Sequence, residues 1–142
     1  MSRKILVALR YSIGFIFLWA FLDKLFGLGF ATVAEKSWIN GGSPTAGFLS
    51  HAVKGPFIEF FHGLAGVAVV DWLFMAGLLF VGVTLFFRRT IFWGSIVGIM
   101  MLLLMYLALL LPDNNPIIDD HIIYSLLLAF FALESRPRNF SF

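Results

Sequence analysis

Four long apolar runs constrain the fold of this chain more than any other feature of its sequence. Each run is close to the ~20 residues that an α-helix needs to cross the hydrocarbon layer of a membrane. Hydrophobic residues make up 61% of the chain and charged residues only 13%, which is about half of the charged fraction of a typical soluble domain. The sequence therefore predicts an all-α integral membrane protein, a single-domain bundle of four transmembrane helices over residues 1–142. The runs cover Ile5–Leu28, Ala65–Phe87, Ile91–Leu111 and Ile117–Leu133.

The connection between the first two runs, about residues 29–64, is too long for a simple turn. Ser43 is a favourable N-cap residue, Pro44 suits the first helical position, and Gly55 followed by Pro56 is typical of a helix end. We therefore expect a short extra helix near Pro44–Lys54 in this first outer loop.

The basic residues indicate the orientation of the chain. If the chain crosses four times, most Lys and Arg residues fall on one side, and the positive-inside rule makes that side cytoplasmic. Both termini are therefore predicted to be cytoplasmic, in a multi-pass protein of a prokaryotic cell membrane. This clustering accounts for the net charge of +2 without a nucleic-acid partner, and the lipid bilayer is the expected partner. The residues on the basic side are Arg3, Lys4, Arg88, Arg89, Arg136 and Arg138.

The histidines and most acidic residues then lie toward the opposite, outer face, which points to chemistry on that side. The chain has no cysteine, which excludes disulfides, Cys-ligated zinc and iron–sulfur clusters. Electron transfer would therefore need a bound cofactor, a substrate or a partner. The residues on this face are His51, His62 and His121, with Glu35, Glu59, Asp113, Asp119 and Asp120.

Two basic residues, Arg10 and Lys24, share one stripe of the first span. Charged side chains within membranes avoid lipid and mark functional paths, although both of these lie near the span ends and could simply snorkel. Asp71 lies at a depth similar to that of Lys24, so we predict an ion pair between them, with either a structural or a functional role. The stripe consists of Arg10, Gly14, Phe17, Phe21 and Lys24.

The fourth span opens with several side chains suited to proton transfer. Asp120, His121 and Tyr124 are spaced to share one helix face, where they could bind a quinone carbonyl and move protons. The alternative is that Asp119 and Asp120 only stabilise the helix N-terminus.

Histidine spacing raises two further alternatives. His62 and His121 could ligate a haem, and His51, Glu59 and His62 could hold zinc, but such spacing on loops and helices is not specific. We expect neither a haem nor a metal site.

Three segments resemble the DoxX/DoxD family of membrane proteins. They are the first-span stripe that ends in Asp23-Lys24-Leu25, the loop Trp38–Pro44, and the segment Asn115–Tyr124. The resemblance leans to the DoxD branch and implies a four-helix membrane subunit of thiosulfate:quinone oxidoreductase. It further implies that thiosulfate is oxidised toward tetrathionate, that membrane quinone receives the electrons, and that a DoxA-like second subunit or a larger membrane complex takes part.

The leading hypothesis is a quinone-linked oxidoreductase subunit with its site in the outer leaflet. Quinone would be a co-substrate, with no covalently bound cofactor. A non-catalytic accessory or assembly subunit of a respiratory or redox membrane complex is the first alternative, and a small transporter or lipid-handling protein is the second. The predicted catalytic residues are Lys24, Asp71 and His121. The predicted substrate- or quinone-binding residues are Arg10, Trp38, Asp120 and Tyr124.

Overall fold

The computed structural model describes residues 3–113, 115 and 117–136. Within these residues the chain forms six α-helices and two short 3-10 helices, and it forms no β-strand. The predicted all-α class is therefore confirmed. Two residues used in the sequence analysis, Pro116 of the segment Asn115–Tyr124 and Arg138, lie outside the described residues. The α-helices are α1 (Arg3–Phe26), α2 (Ala46–His51), α3 (Ile58–His62), α4 (Ala68–Thr84), α5 (Ile91–Ala108) and α6 (Asp120–Glu134), and the 3-10 helices are Ala34–Lys36 and Trp38–Asn40.

The helices α1, α4, α5 and α6 occupy the four predicted spans. Of these, α1 and α5 are long and apolar enough to cross a membrane, and α4 is a shorter apolar helix. Only 22% of the most apolar 18 residues of α1, and 33% of those of α5, are buried. Because most of this apolar surface is exposed, the two helices differ from the core helices of a soluble protein, and association with a lipid bilayer is supported.

The loop helix is shorter than predicted. The hydroxyl of Ser43 accepts a hydrogen bond from the backbone N–H of Ala46 at 3.0 Å, but Pro44 lies in the preceding turn, and α2 runs only from Ala46 to His51. The sequence analysis did not predict α3. This helix follows Gly55, whose positive φ of 82° redirects the chain.

The bundle is held together by one apolar core. Helix α1 packs against α4, α4 against α5, and α5 against α6. A smaller cluster of Leu49, Val53, Phe61 and Ala108 packs α2 and α3 against the end of α5. The buried residues of the main core are Ile13, Phe17, Met75, Leu78, Val81, Leu85, Ile91, Leu102, Leu128 and Phe131.

The crossing of α1 and α4 depends on a glycine. A Cβ atom at Gly82 would lie 2.9 Å from the backbone nitrogen of Leu18 and 3.0 Å from its Cα. Because the obstructing atoms belong to a helix backbone, they cannot move away as a flexible side chain would. Gly82 therefore allows the two helices to approach closely, as small residues do in membrane helix pairs.

We predict that Gly82→Ala lowers the free energy of unfolding by about 1–3 kcal/mol, the usual cost of overpacking. Unfolding can be followed by the fluorescence of the four tryptophans. Gly47→Ala is the matched control, because a Cβ there has nothing within 4 Å. Equal stability of the two variants would contradict the close approach of α1 and α4.

Candidate functional site

A cavity of about 450 Å³ lies where α2 and α3 meet α1, α4 and α5. Its volume is within the range of small-molecule binding sites, and we call it the loop cavity. Aliphatic, aromatic and methionine side chains form most of its walls. The lining residues are Lys24, Pro44, Thr45, Phe48, Leu49, Phe60, Phe61, Leu64, Val70, Leu73, Phe74, Met101, Leu104, Met105 and Ala108.

Of the described residues, Lys24 is the only ionisable one that lines the loop cavity. Its Nζ lies 5.9 Å from the centroid of the Phe74 ring, near the outer limit of a cation–π contact. Within the described parts of the chain, the Lys24 ammonium has neither a hydrogen bond nor an ion pair. Its three N–H donors are therefore available to a ligand.

The neighbouring carboxylate of Asp23 is used in another way. Asp23 is almost fully buried, and it accepts hydrogen bonds from the backbone N–H groups of Phe30 at 3.2 Å and Ala31 at 2.8 Å. These bonds stabilise the turn that follows α1. Asp23 therefore satisfies backbone donors and forms no ion pair with Lys24.

The predicted ion pair between Lys24 and Asp71 is wrong. Asp71, in the first turn of α4, instead accepts hydrogen bonds from the hydroxyl of Ser43 at 2.8 Å, and from the hydroxyl and backbone N–H of Thr45 at 2.6 and 3.2 Å. Neutral donors thus compensate the carboxylate. Because Thr45 lines the loop cavity, Asp71 positions one wall of the cavity that contains Lys24.

His121 pairs with a carboxylate that the sequence analysis assigned only to helix capping. Its Nδ1 donates to Asp119 at 2.7 Å, and the same carboxylate accepts the backbone N–H groups of His121 and Ile122 at 3.1 and 3.3 Å. Asp119 is therefore the N-cap of α6. The hydrogen bond orients the imidazole and leaves Nε2 for proton exchange.

The pKa of Asp119 is lowered in the folded protein. Burial by itself would raise it, but hydrogen bonds from the His121 side chain and from the backbone of Ile122 and His121, with attraction to the imidazole, outweigh burial. Asp119 is therefore ionised at neutral pH.

The other predicted binding residues do not line the loop cavity. Asp120 is exposed, and Tyr124 packs against the main core. Neither forms a side-chain hydrogen bond with His121 in the described segments. Trp38 packs edge-on against Trp72, with ring centroids 4.6 Å apart, and Arg10 lines a different pocket at the other end of α1.

The structure thus brings Lys24 and Asp71 close to one cavity but leaves His121 outside its lining. The sequence analysis missed Ser43 as a partner of Asp71, and it missed Thr45 entirely. Neither has a periodic pattern that could have identified it. Asp119 could have been identified as the partner of His121, because an acidic N-cap residue is a local signal.

The remaining histidines are exposed. His51 lies in α2 with its Nδ1 3.2 Å from the carbonyl of Gly47, and His62 ends α3. Over residues 3–113, 115 and 117–136, no three or more His, Asp or Glu side chains are grouped so that they could hold a metal ion.

We predict that Asp71→Ala lowers the free energy of unfolding by about 3 kcal/mol, because the donors of Ser43 and Thr45 lose a charged acceptor. Asp71→Asn, which keeps one oxygen, should lose less. Amide hydrogen exchange at Thr45 should accelerate in the Ala variant. Asp113→Ala is the control, because the ion pair of Asp113 with Lys54 involves a carboxylate that is 91% exposed. Unchanged protection of Thr45 would contradict the positioning role of Asp71.

A second prediction concerns the cap of α6. Asp119→Ala should lower stability at pH 7 by about 1–2 kcal/mol, since an N-cap is lost, and Asp119→Asn, which can still cap, should lower it less. Because the folded protein lowers the pKa of Asp119, its charge stabilises the fold above the ordinary aspartate pKa of 3.8. That contribution disappears as the pH falls through the lower pKa of the folded state.

Thermal unfolding of the wild type and Asp119→Asn from pH 7 to pH 2 measures this contribution. The difference between the two proteins should shrink below pH ~4. A difference that grows on acidification would contradict the assignment.

Comparison of the chain with protein-family models, with curated proteins and with solved structures finds no match. The resemblance to the DoxX/DoxD family therefore stays a prediction from the sequence, and the site must be interpreted from its own geometry.

Proposed function

We propose that this chain is the quinone-binding membrane subunit of an oxidoreductase, and that the loop cavity holds the quinone headgroup. The observation that carries the proposal is the Lys24 ammonium, which lies in an apolar cavity without an acidic partner in the described part of the chain. Lys24 would bind the headgroup, and the other predicted residues would act around Lys24.

The residues of the loop cavity fit a quinone. A quinone has an apolar ring and tail with two carbonyl oxygens, so it needs apolar walls and very few donors. Phe48, Phe61 and Phe74 offer aromatic surface to the ring, and the methionines Met101 and Met105 offer adaptable apolar surface. Lys24 would donate to a carbonyl oxygen, and its charge would favour electron uptake.

The membrane topology is part of the proposal. We propose that α4 and α6 cross the bilayer together with α1 and α5, so that both termini are cytoplasmic and the loop cavity lies in the outer leaflet of a prokaryotic cell membrane. In support, Arg3, Arg88 and Arg136 line a single pocket, as expected when these three chain positions lie on one side.

The reductant that the family resemblance implies is thiosulfate. Two thiosulfate ions would join through a new S–S bond to give tetrathionate and release two electrons. Quinone, when bound, supplies the acceptor, because it takes up two electrons and two protons to form quinol. The chain has no cysteine, and a DoxA-like second subunit or a larger membrane complex would provide the route for electrons.

The predicted catalytic residues would have different roles in this proposal. Lys24 binds the headgroup, and Asp71 holds Thr45 in the wall beside it. His121, oriented by Asp119, would exchange protons near the outer surface instead of touching the quinone. Asp120 and Tyr124 would stand on the same helix without contact to the headgroup.

One observation favours the accessory-subunit alternative. Asp71, a predicted catalytic residue, and Asp119, the partner of His121, are both engaged in structural hydrogen bonds. If the chain is an accessory subunit, the assembled complex should still reduce quinone after Lys24 is replaced. Quinone reduction by a complex that carries a Lys24 variant therefore distinguishes the two functions.

We predict that Lys24→Met weakens quinone binding by roughly 10- to 100-fold, as expected for loss of a hydrogen bond from a charged donor. The measurement is a titration of the full chain in lipid nanodiscs with a short-tailed quinone, followed by tryptophan quenching.

Lys54→Met is the matched control, because Lys54 pairs with the exposed Asp113 and does not line the loop cavity. Its affinity for quinone should equal that of the wild type. Equal affinities of Lys24→Met and the wild type would refute the proposal. Thiosulfate-driven quinone reduction, with and without partner subunits, then tests the reaction separately.

A further inference from the structure

A second pocket, of about 480 Å³, lies at the end of the bundle opposite to the loop cavity. It forms where the start of α1 meets the end of α6 and the connection between α4 and α5, and we call it the arginine pocket. The lining residues are Arg3, Leu6, Val7, Arg10, Tyr11, Arg88, Ile91, Phe131, Glu134, Ser135 and Arg136.

The arginine pocket carries a large excess of positive charge. Four arginines face a single acidic residue, Glu134, and no arginine forms an ion pair within the described residues. The C-terminus of α6 contributes a partial negative charge, but a helix terminus supplies only about half an elementary charge. The pocket therefore attracts anions.

Arg10 is the buried centre of this positive region. Only 8% of its surface is exposed, and its Nε is buried with no hydrogen-bond partner among the residues that the structure describes. Its Cζ lies 4.8 Å from the centroid of the Tyr11 ring, and that ring stacks on Phe86. A cation–π contact offsets only part of the cost of burying a charge that has no counter-ion. A bound anion would supply the rest of the compensation.

We infer that the arginine pocket binds a phosphate group, with Arg10 as the deep contact and Arg3, Arg88 and Arg136 at the rim. The planar guanidinium matches phosphate oxygens in a two-bond geometry. The site is separate from the loop cavity and does not depend on quinone binding.

The depth and walls of the pocket define the ligand further. Arg10 lies seven residues after Arg3, which is ~10 Å along α1 and slightly more than the ~5–8 Å depth of the headgroup layer on one side of a membrane. Leu6, Val7 and Ile91 form apolar walls beside it, which suit the first acyl carbons of a lipid. The phosphate of an anionic lipid and free phosphate share this chemistry, and experiment distinguishes them.

The test uses the full chain with three variants, Arg10→Gln, Arg88→Gln and the control Arg89→Gln. Arg89 is exposed, neighbours Arg88 and does not line the pocket, so its variant loses the same charge outside the site. Lipid binding is measured by native mass spectrometry after purification from membranes of phosphatidylcholine with phosphatidylglycerol. Phosphate binding is measured by thermal shift in detergent, against sodium chloride at equal ionic strength.

The wild type should retain phosphatidylglycerol in preference to phosphatidylcholine if the source is a lipid, or be stabilised by phosphate if the source is the free ion. Either affinity should fall roughly tenfold or more in Arg10→Gln, and by less than about twofold in Arg89→Gln. If Arg10→Gln does not fold, Arg88→Gln decides, because Arg88 is exposed on the rim. No preference for either ligand, or equal losses in pocket and control variants, would overturn the inference.

Discussion

An ionisable side chain in an apolar interior is stable only when a partner replaces the water that it loses. The two buried carboxylates of the described residues have such partners within the chain. Asp23 accepts two backbone N–H groups, and Asp71 accepts two hydroxyls and a backbone N–H. Within the described residues, the basic groups Lys24 and Arg10 contact only the faces of aromatic rings. Negative charge is therefore compensated internally, and positive charge remains available at both ends of the bundle.

The loop between α1 and α4 links two of these groups at one end. Asp71 binds Ser43 and Thr45, and this segment forms the cavity wall near Lys24. Lys24 and Asp71 thus act on the same cavity without touching each other. If Asp71 paired with Lys24 directly, the charge of the ammonium would be compensated within the chain.

The two ends of the bundle suit different ligands because their charge densities differ. One ammonium among apolar walls favours a neutral ligand with a hydrogen-bond acceptor, because a multiply charged ligand would lose more hydration than one cation restores. Four guanidiniums around one pocket favour a compact anion. Arg10 and Lys24 share a stripe of α1, but fourteen residues separate them by ~21 Å, so they belong to different sites.

The sequence by itself determined the features that act over short distances along the chain. Apolar runs of membrane-spanning length predicted α1, α4, α5 and α6. The acidic residues at the start of the fourth span gave a helix cap as one of two interpretations, since an N-cap bonds to amides two and three residues ahead. Only the tertiary structure decided that Asp71 binds Ser43 and Thr45, which lie 28 and 26 residues away. The partner of a buried charge depends on which distant segment packs beside it, and no local periodicity encodes that contact.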